Sequence, residues 1–419
     1  MGQTLVIAEK PSVAGDIARA LGGFKKDGDF WVSDAMIVGS AVGHLLEIKA
    51  PEEYDVKRGR WSFANLPVLP PHFDLQPIKK SIKKFEGLEK KIRSRSVTDI
   101  INACDAGREG ELIFRYIIQA TGTKKPIRRL WLQSMTKASI QKAFTALRSD
   151  AEMKPLEAAA RSRSEADWLV GINGTRALTA FNSKDGGFFL TTVGRVQTPT
   201  LAIVVAREEE ITHFKPQNYW EVHATFGAQA GDYDSVWVDA DFKKTKGQSA
   251  ELKPERLWTA AEAQAIVAKC RGKLGIVTDH KRRATSAPPA LFDLTSLQRE
   301  ANGRFGFPAK MTLAILQRLY ERHKVLTYPR TDSRALPEDY PETMKETLSH
   351  LQKLEAYNAF AGQILMSGWV KGDNRRIFDN KKISDHFAIV PTGELPKDLE
   401  ETEQKIYDLS LIHISEPTR

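Results

Sequence analysis

Cysteine is nearly missing: Cys104 and Cys270 are the only two among 419 residues. Two thiols build neither a disulfide framework nor a four-cysteine zinc site, and they fit a reducing compartment. No GxxxxGK[ST] occurs, which excludes a P-loop nucleotide site and with it the P-loop helicases. HExxH and paired CxxC motifs are missing too, so the common zinc chemistries have no ligands. No apolar run approaches the length of a membrane span. The start, MGQTLVIAEKPS, lacks the basic, apolar and cleavage regions of a signal peptide. The expectation is a soluble cytoplasmic chain with no membrane partner, no internal repeat and no low-complexity segment.

What is present is a globular mixture, with 41% hydrophobic and 27% charged residues. The length leaves room for roughly two to four domains. Lys and Arg number 62 against 53 Asp and Glu, a net charge of +9. That excess points to a polyanionic partner, nucleic acid first.

TLVIAE (4–9) is an apolar run ending at a carboxylate, followed by KPS and the helical pattern VAGDIARALGG. VTDIINACDAG (97–107) repeats this logic before the helix ELIFRYIIQATG. AMIVGSAVGHLLEI (35–48) reads as further strand. Two strands ending at acids predict an α/β sheet with carboxylates gathered at the strands' C-terminal edge, where such sheets bind ligands. Residues 151–182 read as charged helix, with an end expected at Gly171–Gly174 and Arg176 beyond it. Residues 217–280 read as β-like, through YWEVHATF, SVWVDADF and KLGIVTDH. From 286 onward helix returns, and DLTSLQREANGRFGFPAKMTLAILQRLYERH predicts two helices about a Gly/Pro turn, with Leu313, Leu316 and Tyr320 on one face.

DAGREGE (105–111) sets Asp105, Glu109 and Glu111 within two helical turns. Such acids either hold a hard cation such as Mg²⁺ or complement a helix dipole. Glu9 adds a carboxylate at the other strand end, and Lys10 is either a phosphate contact or solvated surface. In RSRSEADWLVGINGTR (161–176), Arg161, Glu165 and Trp168 share a helix face. They suit a single strand held by charge and stacking, or else Arg161 and Glu165 form an i,i+4 ion pair. TTVGRVQTPTL (191–201) and RGRW (58–61) offer basic residues beside glycine or tryptophan; each also reads as a plain loop. His44 and His386 are lone histidines. In KVLTYPRTDS (324–333), Tyr328 is either packing or a nucleophile beside Arg330.

Taken in order, LVIAEKPSVA, VGHLLEI, RGRWSFANLPVLP, DAGREGELIF, ARSRSEADWLVGINGTRA, TVGRVQTPTL, LQREANGRFGFPAKMTLAILQRLYE, LTYPRTDS and HFAIVPT resemble the landmarks of the type IA DNA topoisomerases. The likeness is greatest to the topoisomerase III group of bacteria and plasmids, and it runs from residue 4 to about 392. It implies a multidomain fold mixing α/β, α and β parts. These would be an N-terminal Toprim α/β domain (1–150) and the first half of a helical base (151–216). The outgoing half of a β-rich arch (217–280), a helix-turn-helix-like tyrosine domain (281–405) and a return segment (406–419) would follow, together an incomplete toroid.

The resemblance further implies that Tyr328 attacks a single-stranded phosphodiester, keeps the 5′-phosphate and releases a 3′-hydroxyl, without ATP. Arg330 and Lys10 would stabilise phosphoryl charge, and His386 would assist proton transfer. Glu9 would exchange a proton or hold metal, with Asp105 and Glu109 as Mg²⁺ ligands. Trp61, Trp168, Arg176, Arg330 and Thr192, Val193, Gly194, Arg195, Val196 and Gln197 would touch DNA. The implied partners are single-stranded segments of supercoiled or catenated DNA and a helicase, in the cytoplasm at nucleoid or plasmid.

Two departures stand out. The group's Asp-x-Asp-x-Glu has Gly107 at its middle acid, which implies one carboxylate fewer, weaker Mg²⁺ binding or a heavier reliance on Glu9, and suggests Gly107→Asp as a restoration. The end, SLIHISEPTR, matches nothing in the group and reads as adapter read-through on a truncated chain. That chain would bind single strands poorly and not complete strand passage.

Overall fold

In a computed structural model of the chain, the described residues are 2–53, 61–243, 245, 252–284 and 288–415. They divide into two compact units, 1–195 with 286–419, and 196–285.

The first unit opens with β1 (Gln3–Ala8) and α1 (Pro11–Leu21), then β2 (Lys25–Asp27), β3 (Phe30–Val32), β4 (Met36–Ser40), β5 (Leu46–Ile48) and β6 (Leu75–Pro77). It continues through α2 (Ile82–Arg93), β7 (Val97–Ala103), α3 (Arg108–Thr121), β8 (Ile127–Arg129), α4 (Lys137–Thr145), β9 (Arg148–Ser149) and α5 (Asp150–Asn182). A seven-stranded sheet runs β2-β3-β4-β1-β7-β8-β9, and the pairs β4·β1, β1·β7 and β7·β8 are parallel. The central strands β1, β4 and β7 are largely apolar because both faces are covered, whereas the edge strands β2 and β9 are exposed and polar. Leu5 and Ile7 face one core with Leu88, Ile113 and Ile117 of α2 and α3. Val6 and Ala8 face the other with Ala14 and Ile17 of α1 and Ile140 of α4. The two-residue period of a strand makes this division. Since β1 and β7 are neighbours with Ala8 opposite Ala103, Glu9 and Asp105 leave the sheet side by side.

A proline at the first position starts α1, and Gly122 in the left-handed region ends α3. Ser149 and Glu152 form a reciprocal cap on α5, which runs unbroken to Asn182. The helix end expected at Gly171–Gly174 is therefore overturned, and Arg176 lies inside the helix. Glycine serves closeness there, since a Cβ on Gly174 would stand 2.9 Å from Val193 Cγ1.

The C-terminal part of this unit holds α8 (Leu294–Phe305), α9 (Ala309–Glu321), α10 (Pro341–Leu351), α11 (Glu355–Met366) and α12 (Glu401–Ser415). The two-helix element is present as expected, with Leu316 fully buried in a core shared with α11 and α12.

In the second unit, α6 (Gln197–Thr212) precedes the antiparallel hairpin of β10 (His223–Ala228) and β11 (Gly231–Val236). Among the described residues the β-like expectation for 217–280 holds only for that hairpin. Ala260–Cys270 is a helix, α7, favoured by its alanines and capped by Thr259. KLGIVTDH (273–280) forms no regular element; Leu274 and Ile276 are fully exposed, and among the described residues the segment has no strand partner. Among the described residues no helix is long and apolar enough to cross a membrane.

Candidate active site

The tyrosine segment is laid against residues 388–392 by paired backbone. Thr327 N–H donates to the Val390 carbonyl and Thr392 N–H to that of Val325. The Thr327 hydroxyl donates to the Ala388 carbonyl at 2.9 Å and accepts from Val390 N–H at 3.0 Å. This two-stranded scaffold presents Tyr328 and His386 together, with ring centroids 4.2 Å apart. Tyr320 of α9 meets the Tyr328 ring edge-on at 5.3 Å. The helix face predicted from Leu313, Leu316 and Tyr320 thus ends at the phenol.

The sheet edge meets this scaffold. Lys10 Nζ lies 4.2 Å from the centre of the Tyr328 ring, 2.7 Å from Asp105 Oδ2 and 3.3 Å from Glu9 Oε1. His386 Nε2 is 3.3 Å from the same Asp105 Oδ2. The docking has its own polar contacts. Gln133 donates to the Ile383 and Ser384 carbonyls, and the Ser134 and Thr136 hydroxyls donate to Asp339 Oδ2 at 3.1 and 2.8 Å. A cavity of about 650 Å³ opens beside the phenol, lined by Lys10, Asp105, Tyr320, Tyr328, Asp385 and His386 among others.

The electrostatics follow from this packing. Burial, then the charge of Asp105, pushes the Glu9 carboxyl above its ordinary range, with Lys10 opposing. Burial also works against Lys10, yet Asp105 and Glu9 outweigh it and hold the ammonium well above its usual range. Asp105 is buried as well, but its hydrogen bond to His386 and the charge of Lys10 keep it well below the usual carboxylate range. Lys10 is therefore a fixed cation and Asp105 a fixed anion.

Glu9 Oε2 is buried with no hydrogen-bond partner. An orphaned carboxylate oxygen beside a second carboxylate is the environment a divalent cation satisfies, so Glu9 and Asp105 fit a metal. Glu109 stands apart: its Oε1 is 2.5 Å from His44 Nε2, and this contact first of all lowers its pKa. The third acid of the motif has another task. Glu111 is fully buried and bonds Arg115 at 2.7 Å and Asn102 at 2.9 Å.

Gly110 allows the acidic loop to close. A Cβ there would lie 2.2 Å from the Asp105 carbonyl oxygen and 2.7 Å from its nitrogen, both backbone atoms unable to swing aside. Gly110→Ala should cost about 1–3 kcal/mol in thermal unfolding, as overpacking does, and displace Asp105. A melting curve matching the parent would rule this out.

Elsewhere in the first unit, Arg176 pairs with Glu52 and lies 5.3 Å from the ring centre of Trp61, which also meets Phe188 at 5.6 Å. Trp168 donates its indole N–H to the Lys49 carbonyl at 3.2 Å and packs edge-on against Phe73. Thr192, Val193, Gly194 and Arg195 follow the C-terminal half of α5, where the Thr175 hydroxyl accepts from Val193 N–H at 3.0 Å. Arg195 is bidentate to Asp167 at 2.7 and 3.0 Å. Val196 and Gln197 belong to the second unit, at the start of α6. Arg330 is exposed. Arg161 does not pair with Glu165; it takes Glu157, one turn earlier, and Gln119.

Sequence reasoning assembled Glu9, Lys10, Asp105, Tyr328 and His386 only through a resemblance, and the fold brings those five together. It missed Arg129, Asp385 and the Asp339 contacts. Arg129 had a legible signal, as one of two adjacent charges, with Arg128, in the otherwise apolar run after Pro126; the others had none.

Comparison with known proteins accords with this geometry. A family model described as DNA topoisomerase matches residues 151–414, and the Toprim domain model matches 4–135. DNA topoisomerase 3 of Bacillus licheniformis is 41% identical over 413 residues, covering 98% of this chain and 54% of the relative. That of Bacillus subtilis is 40% identical over 412 residues, with the same coverage. The chain spans about half the length of these relatives. Full-length topoisomerase I of Thermotoga maritima shares the fold, with a TM-score of 0.53 at 22% identity over 98% of this chain and 60% of that one.

Proposed function

The chain belongs to the DNA topoisomerase family, among the type IA enzymes, and from that premise we propose that it cleaves and rejoins single-stranded DNA through Tyr328. The observation that carries this reading is the convergence of Tyr328, Lys10, His386 and Asp105 from two ends of the chain. The phenol oxygen bonds to phosphorus and the P–O3′ bond breaks, leaving a 5′-phosphotyrosine and a 3′-hydroxyl. Bond energy is retained in the ester, so rejoining by the hydroxyl needs no ATP.

His386 serves the proton. With Nε2–H donating to Asp105, Nδ1 is left to accept the phenol's proton, and Asp105 stabilises the imidazolium. The departing 3′-oxygen takes its proton from water. Lys10 meets the negative charge that develops on the phosphoryl oxygens, joined by Arg330, which no carboxylate engages among the described residues. Mg²⁺, held by Glu9 and Asp105 with Glu109 farther along the helix, would add positive charge at the phosphate. Of the two roles open to Glu9, the unpartnered Oε2 favours ligand over proton donor.

DNA would reach Tyr328 along Trp61, Trp168, Arg176 and the 192–197 segment. The Arg195–Asp167 pair is exposed, so exchanging the carboxylate for a phosphate sacrifices little. Strand passage that relaxes or decatenates DNA, a helicase partner and a cytoplasmic site at nucleoid or plasmid belong to this proposal for the whole protein. So does the division into Toprim, base, arch and tyrosine domains.

The test is an end-labelled single-stranded oligonucleotide run with the chain and Mg²⁺ on a denaturing gel. Label at the 3′ end should stay with the protein and label at the 5′ end should be released. The opposite partition, or no adduct, refutes the assignment.

A further inference from the structure

The backbone at Gly107 is extended, with φ −160° and ψ −176°, a conformation open to any residue. Nothing in the main chain there calls for glycine. The surroundings do: a Cβ at 107 would lie 2.3 and 2.4 Å from the two carboxylate oxygens of Asp385 and 2.5 Å from its Cγ. The volume in which a side chain at 107 would begin is already filled by a carboxylate from the other side of the cleft.

We infer that Asp385 supplies the acid that glycine at 107 removes, adding a third carboxylate to the cation site of Glu9 and Asp105. The inference rests on the cation reading given above and extends it to a residue in the tyrosine scaffold.

Several independent features agree. Glu9 is 8% exposed, and its Oε2 has no partner although Asp105 adjoins it. Glu9 and Asp105 share one ammonium, Lys10, and Asp385, which feels the charge of Asp105, brings a third carboxylate beside them, like charges that a dication offsets. His386 and Arg108 also face Asp385, and Asp105 and Asp332 add like charge. The backbone on either side of Asp385 is held in place. Gln133 donates to the carbonyls of residues 383 and 384, and Thr331 donates to that of His386 at 3.1 Å. Ser384 donates to Asp332 at 3.0 Å.

Among the described residues no three His, Cys, Asp or Glu side chains already converge as ligands. Lys10 sits between Glu9 and Asp105, so the cation must displace it and draw Asp385 inward. The consequence is a linkage between cation and cleft. A motif with all its acids in one loop keeps its ligands when the tyrosine segment departs, whereas this one loses a ligand with that departure. Cation affinity then reports whether the segment is seated.

The same geometry changes the meaning of Gly107→Asp. A side chain at 107 collides with the Asp385 carboxylate, so the substitution alone drives that carboxylate out of the site and sets two like charges against each other instead of simply restoring an acid. Moving the carboxylate across the cleft requires both changes, Gly107→Asp with Asp385→Ala.

The experiment titrates Mn²⁺ against the full chain, reading free ion by electron paramagnetic resonance, with circular dichroism to verify folding. Asp385→Ala and the near-isosteric Asp385→Asn should each weaken binding roughly tenfold or more, as loss of an inner carboxylate does. Gly107→Asp alone should weaken it too, and the double variant should return to within about threefold of the parent. Unchanged affinity in both Asp385 variants, with binding lost in Asp105→Asn, overturns this inference and leaves the cation reading standing. A double variant no better than either single one also overturns it. No Mn²⁺ binding by the parent, or binding indifferent to both Glu9→Gln and Asp105→Asn, overturns the cation reading and this inference with it.

Discussion

Tyr328→Phe should abolish covalent protein-DNA adducts while leaving the fold and single-strand binding nearly unchanged. The ring's contacts are with His386 at 4.2 Å, Tyr320 at 5.3 Å and the Lys10 ammonium at 4.2 Å. Phenylalanine retains all three, including the attraction of the ammonium to the ring. What disappears is the phenol oxygen that forms the ester, and the neighbouring Tyr320 phenol, half-buried and hydrogen-bonded to Ser12, does not replace it. Adduct should therefore fall below detection on the denaturing gel. The melting temperature should stay within about 2 °C, as for changes that remove no packing. Oligonucleotide affinity should shift by no more than about twofold. Metal-dependent cleavage persisting in this variant would identify a nuclease-like Toprim chemistry that has no use for the phenol.

The second large effect is expected at Arg129, which touches no DNA in the proposed pathway. Its guanidinium is 1% exposed and donates to the carbonyls of Asn102 at 3.0 Å, Cys104 at 2.7 Å, Leu130 at 3.1 Å and Asp105 at 2.6 Å. Its Nε lies 3.5 Å from the fully buried Glu111. The carbonyls of Asn102, Cys104 and Asp105 sit where β7 ends and the acidic loop begins, so one side chain satisfies the turn that aims Asp105. Arg129→Met keeps the volume but strips every donor and leaves Glu111 with less positive charge. Breaking a buried pair of this kind costs about 3–5 kcal/mol. The melting temperature should drop by roughly 4–7 °C. Adduct formation should fall even at temperatures where the variant is folded, because Asp105 loses its backbone anchor. Arg129→Lys should rescue little, since an ammonium cannot reproduce the planar fork that spans four carbonyls. A melting curve near the parent's would show that the carbonyls find other donors.

The stretches whose structure was legible are those where one local pattern admits one solution. Apolar runs that stop at Glu9 and near Asp105, each followed by a helix, mark parallel strands with acids at one edge, and the sheet has that form. The two-helix element was equally clear, from helical spacing around a Gly/Pro turn. Legibility failed where a local pattern had two solutions. Gly171 and Gly174 read as a helix end, yet α5 continues because Val193 packs where a side chain at 174 would be. Arg161 had carboxylates one turn to either side and chose Glu157. The apolar 273–280 run looked like a strand, but a strand forms only with a hydrogen-bonded partner, and among the described residues none pairs with it.

By itself, then, the sequence determined an α/β sheet with two acids at one edge, a phenol in a proline-held segment and the family that unites them. Periodicity and turn chemistry are local, and they survive in a string of letters. The tertiary structure alone decided that Lys10 leans on Asp105, 95 residues away. It alone set Asp385 in the space left by Gly107 and ran the carbonyls of the acidic loop onto Arg129. Those choices depend on which surfaces meet and which volume is already taken, quantities that no spacing along the chain encodes.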